Sequence, residues 1–249
     1  MNPIIEQMHA HRSVRRYTEE PVEHEHLLEA VRAGQGAATS SAVQAYCAIR
    51  VTSPETRRAI AQLAGPQEKI ELAPEFLVVC ADTRRRRLIC ARDGIVYNQR
   101  LEAFLVGAID ASLFAQNMTL ALESMGYGTC YIGGIRNDIR RLDELLGLPE
   151  GVYPLFGLCV GRPAETPAPR PRLDVGAILF DDAYPDDETV NAQTEAYDEA
   201  YRAYLRQRGA PPEQVDRSWS RAVSARLGTP SRVELGAYYT DKGACFDLE

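Results

Sequence analysis

The sequence predicts an α+β fold. Segments with helical apolar spacing interleave with short β-branched or aromatic runs, no clean βαβ register recurs, and one long apolar helix occupies the middle of the chain. Residues 4–10 and 23–33 have helical spacing, the second with Leu27, Leu28 and Val31 on one side. Residues 34–41 are small and polar, so that backbone can approach a ligand closely. Residues 46–52 and 76–81 read as strands. Between them, residues 54–63 read as a helix opened by Pro54, with Gly65 past its end. The longest helical pattern, 94–125, is apolar nearly all round between Ala103 and Leu122, which makes it central. Residues 129–132 form a strand running into Gly133-Gly134, Asn137 is expected to cap a helix through Leu146, and residues 155–160 form a further buried strand. Pro163, Pro167, Pro169 and Pro171 make 161–172 an extended linker. A short stretch at 177–180 and helices around 188–208 and 217–226 follow, and no internal repeat is present.

The 249 residues suffice for one large domain or two small ones, and 45% hydrophobic with 25% charged residues is a globular composition. The balance of 28 Lys+Arg against 35 Asp+Glu, net −7, argues against a nucleic-acid partner and makes any basic cluster informative. The first ten residues lack a basic leader segment, so no secretory signal is expected. Residues 103–122 are long enough to cross a bilayer, but Asp110, Ser112, Gln116, Asn117 and Thr119 point to a buried core or interface helix, and no membrane partner is expected. Six dispersed cysteines, with no Cys-x-x-Cys pair, behave as small hydrophobes and imply a reduced, cytoplasmic protein. The four histidines fall in two i,i+2 pairs without a companion ligand set, so no metal site is expected.

Chemistry concentrates at His-Arg-Ser-Val-Arg-Arg-Tyr-Thr, residues 11–18. Arg12, Arg15 and Arg16 repel one another, and their planar forks suit a phosphate or an electron-rich heteroatom edge. A solvated basic turn is the alternative. Arg170-Pro171-Arg172 supplies a second basic pair, stiffened by its prolines, and the two groups invite convergence on one phosphate. Neither a Gly-x-Gly-x-x-Gly fingerprint nor a P-loop lysine is present, so any phosphate must be held by arginines. A Gly-x-Ser-x-Gly elbow is also absent. Gly133-Gly134 either forms a tight turn or exposes bare backbone N–H groups to a flat ring. Gln67, after Gly65-Pro66, either meets a heteroaromatic edge or is an ordinary loop residue. Trp219 and Tyr197, Tyr201 and Tyr204 are expected to pack helices together.

The ordered set of these segments resembles the FMN-dependent nitroreductase/flavin reductase family, in its oxygen-insensitive NADPH nitroreductase branch. The match is carried by residues 11–21, Ala-Thr-Ser-Ser and Gln44 at 38–44, Gly65-Pro66-Gln67, Tyr-Ile-Gly-Gly-Ile-Arg-Asn at 131–137 and Pro-Leu-Phe-Gly-Leu at 154–158. It continues through Pro-Arg-Pro-Arg-Leu at 169–173 to Ser-Trp-Ser at 218–220. The resemblance implies one nitroreductase-like domain over 1–249, with an extended linker at 162–173 and a C-terminal helical excursion at 174–249. It further implies a mostly antiparallel sheet flanked by helices, and a non-covalent FMN at a homodimer interface. Carried over by position, His11, Arg12, Ser13 and Arg15 line the flavin, with Thr39 and Gln67 nearby. The main chain of Tyr131, Ile132, Gly133 and Gly134 lies along the isoalloxazine, and Arg170 and Arg172 hold the phosphate. Ser40, Ser41, Arg136 and Arg208 are the expected contacts for acceptor and NAD(P)H. The implied activity is two-electron, ping-pong reduction of nitroaromatics, quinones or related flat acceptors. A dedicated NAD(P)H:flavin reductase and a non-catalytic flavin sensor are the alternatives. This chain departs from the branch in having Arg170 where lysine is frequent, and in placing Pro211, Pro212, Glu213 and Asp216 between Arg208 and Arg217. A carboxylate there repels a 2′-phosphate and accepts from a 2′-hydroxyl, which leaves NADPH and NADH both open as reductant.

Overall fold

The computed structural model describes residues 2–97 and 100–244. The chain divides into two compact units, one of residues 1–167 with 232–249 and one of residues 168–231. In chain order the first unit holds α1 (Pro3–His9), α2 (His24–Gln35), β1 (Tyr46–Arg50), α3 (Pro54–Leu63), α4 (Lys69–Leu72), β2 (Glu75–Asp82), α5 (Arg84–Arg92), α6 (Leu101–Ser124), β3 (Gly128–Ile132), α7 (Ile139–Leu146) and β4 (Val152–Gly161). The second unit holds α8 (Asp187–Gln207), α9 (Pro212–Asp216) and α10 (Trp219–Leu227), after which α11 (Leu235–Asp241) returns to the first.

The sheet is antiparallel throughout, with strand order β1-β2-β4-β3. Strand β2 is buried at all eight positions, as a strand covered on both faces must be. Its period of two sorts the core. Phe76, Val78 and Cys80 point to one side, where Ile60, Ile70, Ile132 and Leu142 fill the interior. Leu77 and Val79 point to the other, against Phe114, Met118, Leu122 and Leu158. Helix α6 is thus the central element its composition suggested, and among the described residues it is the one helix long and apolar enough to cross a membrane. Five cysteines are unpaired, four of them facing one another across strands as Cys47–Cys80 and Cys130–Cys159; Cys245 lies outside the described residues.

Several boundaries differ from expectation: β4 opens at Val152 instead of residue 155, and β1 ends at Arg50 instead of residue 52. The central helix starts at Leu101, not residue 94, because Gly94 has φ +71° and closes α5 instead of opening α6; Asn98 and Gln99 lie outside the described residues. Helix α5 itself was hidden: its first four residues are arginines and its Leu88 and Ile89 are exposed, so no apolar stripe marks it. Helix α7 is capped by Asp138, which accepts from the Arg141 N–H, and not by Asn137, whose Oδ1 accepts from Arg232. In the second unit the aromatic residues pack as foreseen: Trp219 meets Tyr197 edge-on with centroids 5.0 Å apart.

Candidate functional site

Residues 11–18 are fixed between the outer edge of β3 and the chain leaving β4. The Val14 N–H donates to the Thr129 carbonyl at 2.9 Å, and the Thr18 N–H to the Arg162 carbonyl at 2.9 Å. Returning the bond, the Ala164 N–H donates to the Arg16 carbonyl at 2.9 Å. Val14 is buried over Gly128, where a Cβ would come within 2.6 Å of it, so the segment can lie this close only against glycine. The Tyr17 hydroxyl donates to the Val14 carbonyl at 2.6 Å, and burial pushes its pKa up so that it stays a donor. Pinning Val14 and Tyr17 inward leaves the arginines outside. Arg15 reaches only the Ser13 carbonyl at 3.4 Å, and Arg12 the carbonyls of Ala10 at 3.1 Å and Pro167 at 3.4 Å. Among the described residues no carboxylate pairs with the guanidinium of Arg12, Arg15 or Arg16, while Glu165 accepts only the Arg15 backbone N–H, at 2.8 Å.

Arg15 and Arg16 open onto a cavity of about 440 Å³ that they share with Tyr17, Gln67 and Lys69. Residues 52 positions apart in sequence, Arg15 and Gln67, are therefore brought together, as a common ligand requires. Lys69 is absent from the sequence reading; its signal is its place two residues after Gln67, at the first position of the one-turn helix α4. The Gln67 backbone N–H is held by the Ala61 carbonyl at 3.0 Å, which leaves its side-chain amide for the cavity. Three residues before it, Ala64 abuts Gly134: a Cβ on Gly134 would sit 2.4 Å from the Ala64 carbonyl oxygen. Gly133–Arg136 form a 3-10 turn, so the tight-turn reading of the glycine pair is the observed one, and close backbone approach is its cause.

Strand β3 is an edge strand, and residues 13–14 cover that edge only near Thr129. Beyond it the outer side of Tyr131 and Ile132, whose inner side pairs with Leu158 and Gly157 of β4, has no strand partner among the described residues, which is the state in which main-chain donors can meet a ligand. The side chains here are engaged inward. Thr119 donates to the Tyr131 hydroxyl at 3.1 Å, Ile132 is buried, and Arg136 donates to the Leu155 carbonyl. Arg136 is thereby tied to β4.

His11 pairs through Nδ1 with Glu123 of α6 at 2.7 Å, and Arg12 lines a second cavity, of about 270 Å³, with Glu123, Tyr127 and Glu165. Ser13 bridges to Thr129. Thr39, Ser40 and Ser41 do not line the Arg15–Gln67 cavity; they sit on a loop fastened to α6 by Asp110. Arg170 and Arg172 belong to the second unit and are exposed, the chain between them held where the Tyr197 hydroxyl donates to the Pro171 carbonyl at 2.8 Å. Arg208, also exposed and in that unit, rests against Tyr204.

The donor set fits a flavin nucleotide. Unpaired guanidinium groups and a lysine suit a phosphate, and an amide suits the heteroatom edge of a ring, in a cavity of small-molecule size whose lining also includes the carboxylate of Glu68. Thr129 adds a buried hydroxyl that has no partner among the described residues. Residues 8–162 match the nitroreductase family and residues 170–247 that family's C-terminal domain, so the chain belongs to the nitroreductase family. It is 39% identical to the NADPH-flavin oxidoreductase of Vibrio harveyi, over 98% of each chain. To the oxygen-insensitive NADPH nitroreductase of Salmonella typhimurium it is 37% identical, again over 98% of each. The solved structure of the NADPH:FMN oxidoreductase from Vibrio harveyi complexed with NAD+ superposes with a TM-score of 0.87 at 38% identity, covering 97% of this chain and 98% of that one.

Proposed function

We propose that this chain is an FMN-dependent NAD(P)H oxidoreductase that reduces nitroaromatics, quinones or related flat acceptors. The observation that carries this reading is the set of arginine donors without carboxylate partners, beside the open edge of β3 and the cavity shared with Gln67. When bound, FMN supplies two-electron hydride exchange, first with NAD(P)H and then with the acceptor in the same place. Protein residues bind, orient and tune. Arg15, a cation near the flavin's pyrimidine edge, favours the reduced anion and raises the reduction potential. Arg170 and Arg172 hold the phosphate, with His11, Arg12 and Ser13 along the flavin and Gln67 at its edge. The backbone of 131–134 lies along the ring. Thr39, Ser40, Ser41 and Arg136 border the acceptor, and Arg208 meets the reductant. No side chain has to serve as acid or base.

The 249 residues act as one nitroreductase-like domain, in a cytoplasmic homodimer. Support for a second copy comes from α6, whose Leu101, Leu105, Ile109 and Leu113 recur every four residues and are all exposed. A dedicated flavin reductase is the second reading, favoured by the identity to the Vibrio harveyi enzyme. Anaerobic mixing with NADPH and with NADH tests the proposal: an enzyme loses its yellow band within the mixing time, whereas a flavin sensor keeps it. Reoxidation by a nitrofuran, compared with free FMN, separates the two enzymatic readings.

A further inference from the structure

Helix α6 is nearly all apolar, yet it carries a carboxylate into the interior: Asp110 is 1% exposed. Its two oxygens are both used. Oδ1 accepts the Ser40 N–H at 3.1 Å and Oδ2 accepts the Ala45 N–H at 3.0 Å. These two amides flank a loop in which three residues with side chains take the left-handed conformation: Ser41 at φ +47°, Ala42 at φ +57° and Gln44 at φ +48°. A residue with a Cβ avoids that region unless its surroundings impose it. The side chains of Ser40, Ser41, Ala42 and Gln44 are exposed, so no packing of their own imposes it. Inside the loop the Val43 N–H donates to the Ser40 carbonyl at 2.9 Å and the Tyr46 N–H to the Gln44 carbonyl at 3.0 Å, while the charge-assisted bonds that tie the loop down to α6 are those at its two ends, made beneath it where water does not compete.

We infer that Asp110 is a positioning residue, which through the Ser40 and Ala45 amides holds residues 39–45 in the strained shape that sets how tightly an acceptor fits. The inference rests on the reading above that Thr39, Ser40 and Ser41 border the acceptor. Strain at a loop rim is a means of fixing short polar side chains where no core can reach them.

Two independent perturbations test it in the FMN-loaded enzyme, with KM and kcat for a nitrofuran and the melting temperature as readouts. Asp110→Asn turns one acceptor oxygen into a donor facing an N–H, and raises the acceptor KM about tenfold with kcat within about threefold. Adding Ala42→Gly and Gln44→Gly to Asp110→Asn makes the left-handed shape accessible without the clamp. It returns KM to within about threefold of the wild type while the melting temperature stays low. Ser40→Pro removes the N–H from the solvent side, at the first position of a 3-10 turn that accepts proline, and Ser40→Ala controls for the hydroxyl. Ser40→Pro raises KM above Ser40→Ala; this pair decides the matter should Asp110→Asn not fold. The inference is overturned if KM is unchanged in Asp110→Asn or equal in the Ser40 pair, and also if the glycines restore nothing, which makes Asp110 a stability residue only. Thr39→Ala and Ser41→Ala separate the two levels. If they shift KM while the clamp variants do not, the clamp is wrong; if they too leave it unchanged, the acceptor rim is misplaced and the inference falls with it.

Discussion

Two arginine-rich stretches lie in the first unit, and the denser one does not line the Arg15–Gln67 cavity. Arg84–Arg87 are four in succession, yet two of them pair with carboxylates and the other two reach carbonyls of the fold. Arg87 pairs with Glu150 at 2.6 Å and Arg85 with Asp82 at 3.7 Å, while Arg84 and Arg86 donate to the carbonyls of Glu150 and Ala103. Among the described residues Arg12, Arg15 and Arg16 have no carboxylate partner, and Arg15 and Arg16 open onto a cavity. Charge density alone therefore says little; what marks a binding group is a donor whose own fold leaves it unpaired.

That contrast sets an order of effects. The largest belongs to Arg170→Ala with Arg172→Ala: two charge-assisted phosphate bonds at about 1.5–3 kcal/mol each weaken FMN binding at least about 100-fold, read by fluorescence titration of the apoprotein. Arg15→Ala should keep its FMN and lose turnover by about tenfold or more, since its contribution is to the flavin's potential. Equal loss of FMN from both variants would erase the division of roles. In Arg87→Ala the pair with Glu150 is partly exposed and worth about 1 kcal/mol or less, so the melting temperature drops by no more than about 4 °C and FMN affinity does not move. A loss of FMN there would break the contrast from the other side.

Much of the fold was legible because local chemistry and burial agree. Ser53 and Pro54 start α3 where the proline predicted, and β2 alternates between two cores at a period of two. What failed did so where a local signal had two uses: Gly94 reads as the entry to a helix but ends another, and Asn137 and Asp138 both suit a cap. In the site, Arg15 and Gln67 were each named, but their meeting depends on how Ala64 docks against Gly134, which no spacing encodes. Asp110 was visible only as a polar interruption of an apolar helix. A buried carboxylate is kept when something donates to it, and that was the cue.

The second unit offers a smaller, pH-dependent check. Burial raises the Asp198 carboxyl, but hydrogen bonds from Ser220 and Ser218 outweigh it and hold the group below its ordinary value. Because the folded form favours the ionised acid, its stabilisation is complete above about pH 4 and disappears as pH falls through the depressed value. Trp219, the single tryptophan, sits beside Ser218 and Ser220 and reports this: its emission should shift on acidification in the wild type, and already at neutral pH in Asp198→Asn.

The central claim of the proposal is that Arg170 and Arg172 hold the phosphate of a flavin nucleotide, and comparing the affinity of the apoprotein for FMN and for riboflavin tests it most directly. FMN should bind at least about 100-fold more tightly, with the gap closing in the Arg170→Ala, Arg172→Ala variant. Equal binding of the two flavins by the wild type would contradict it.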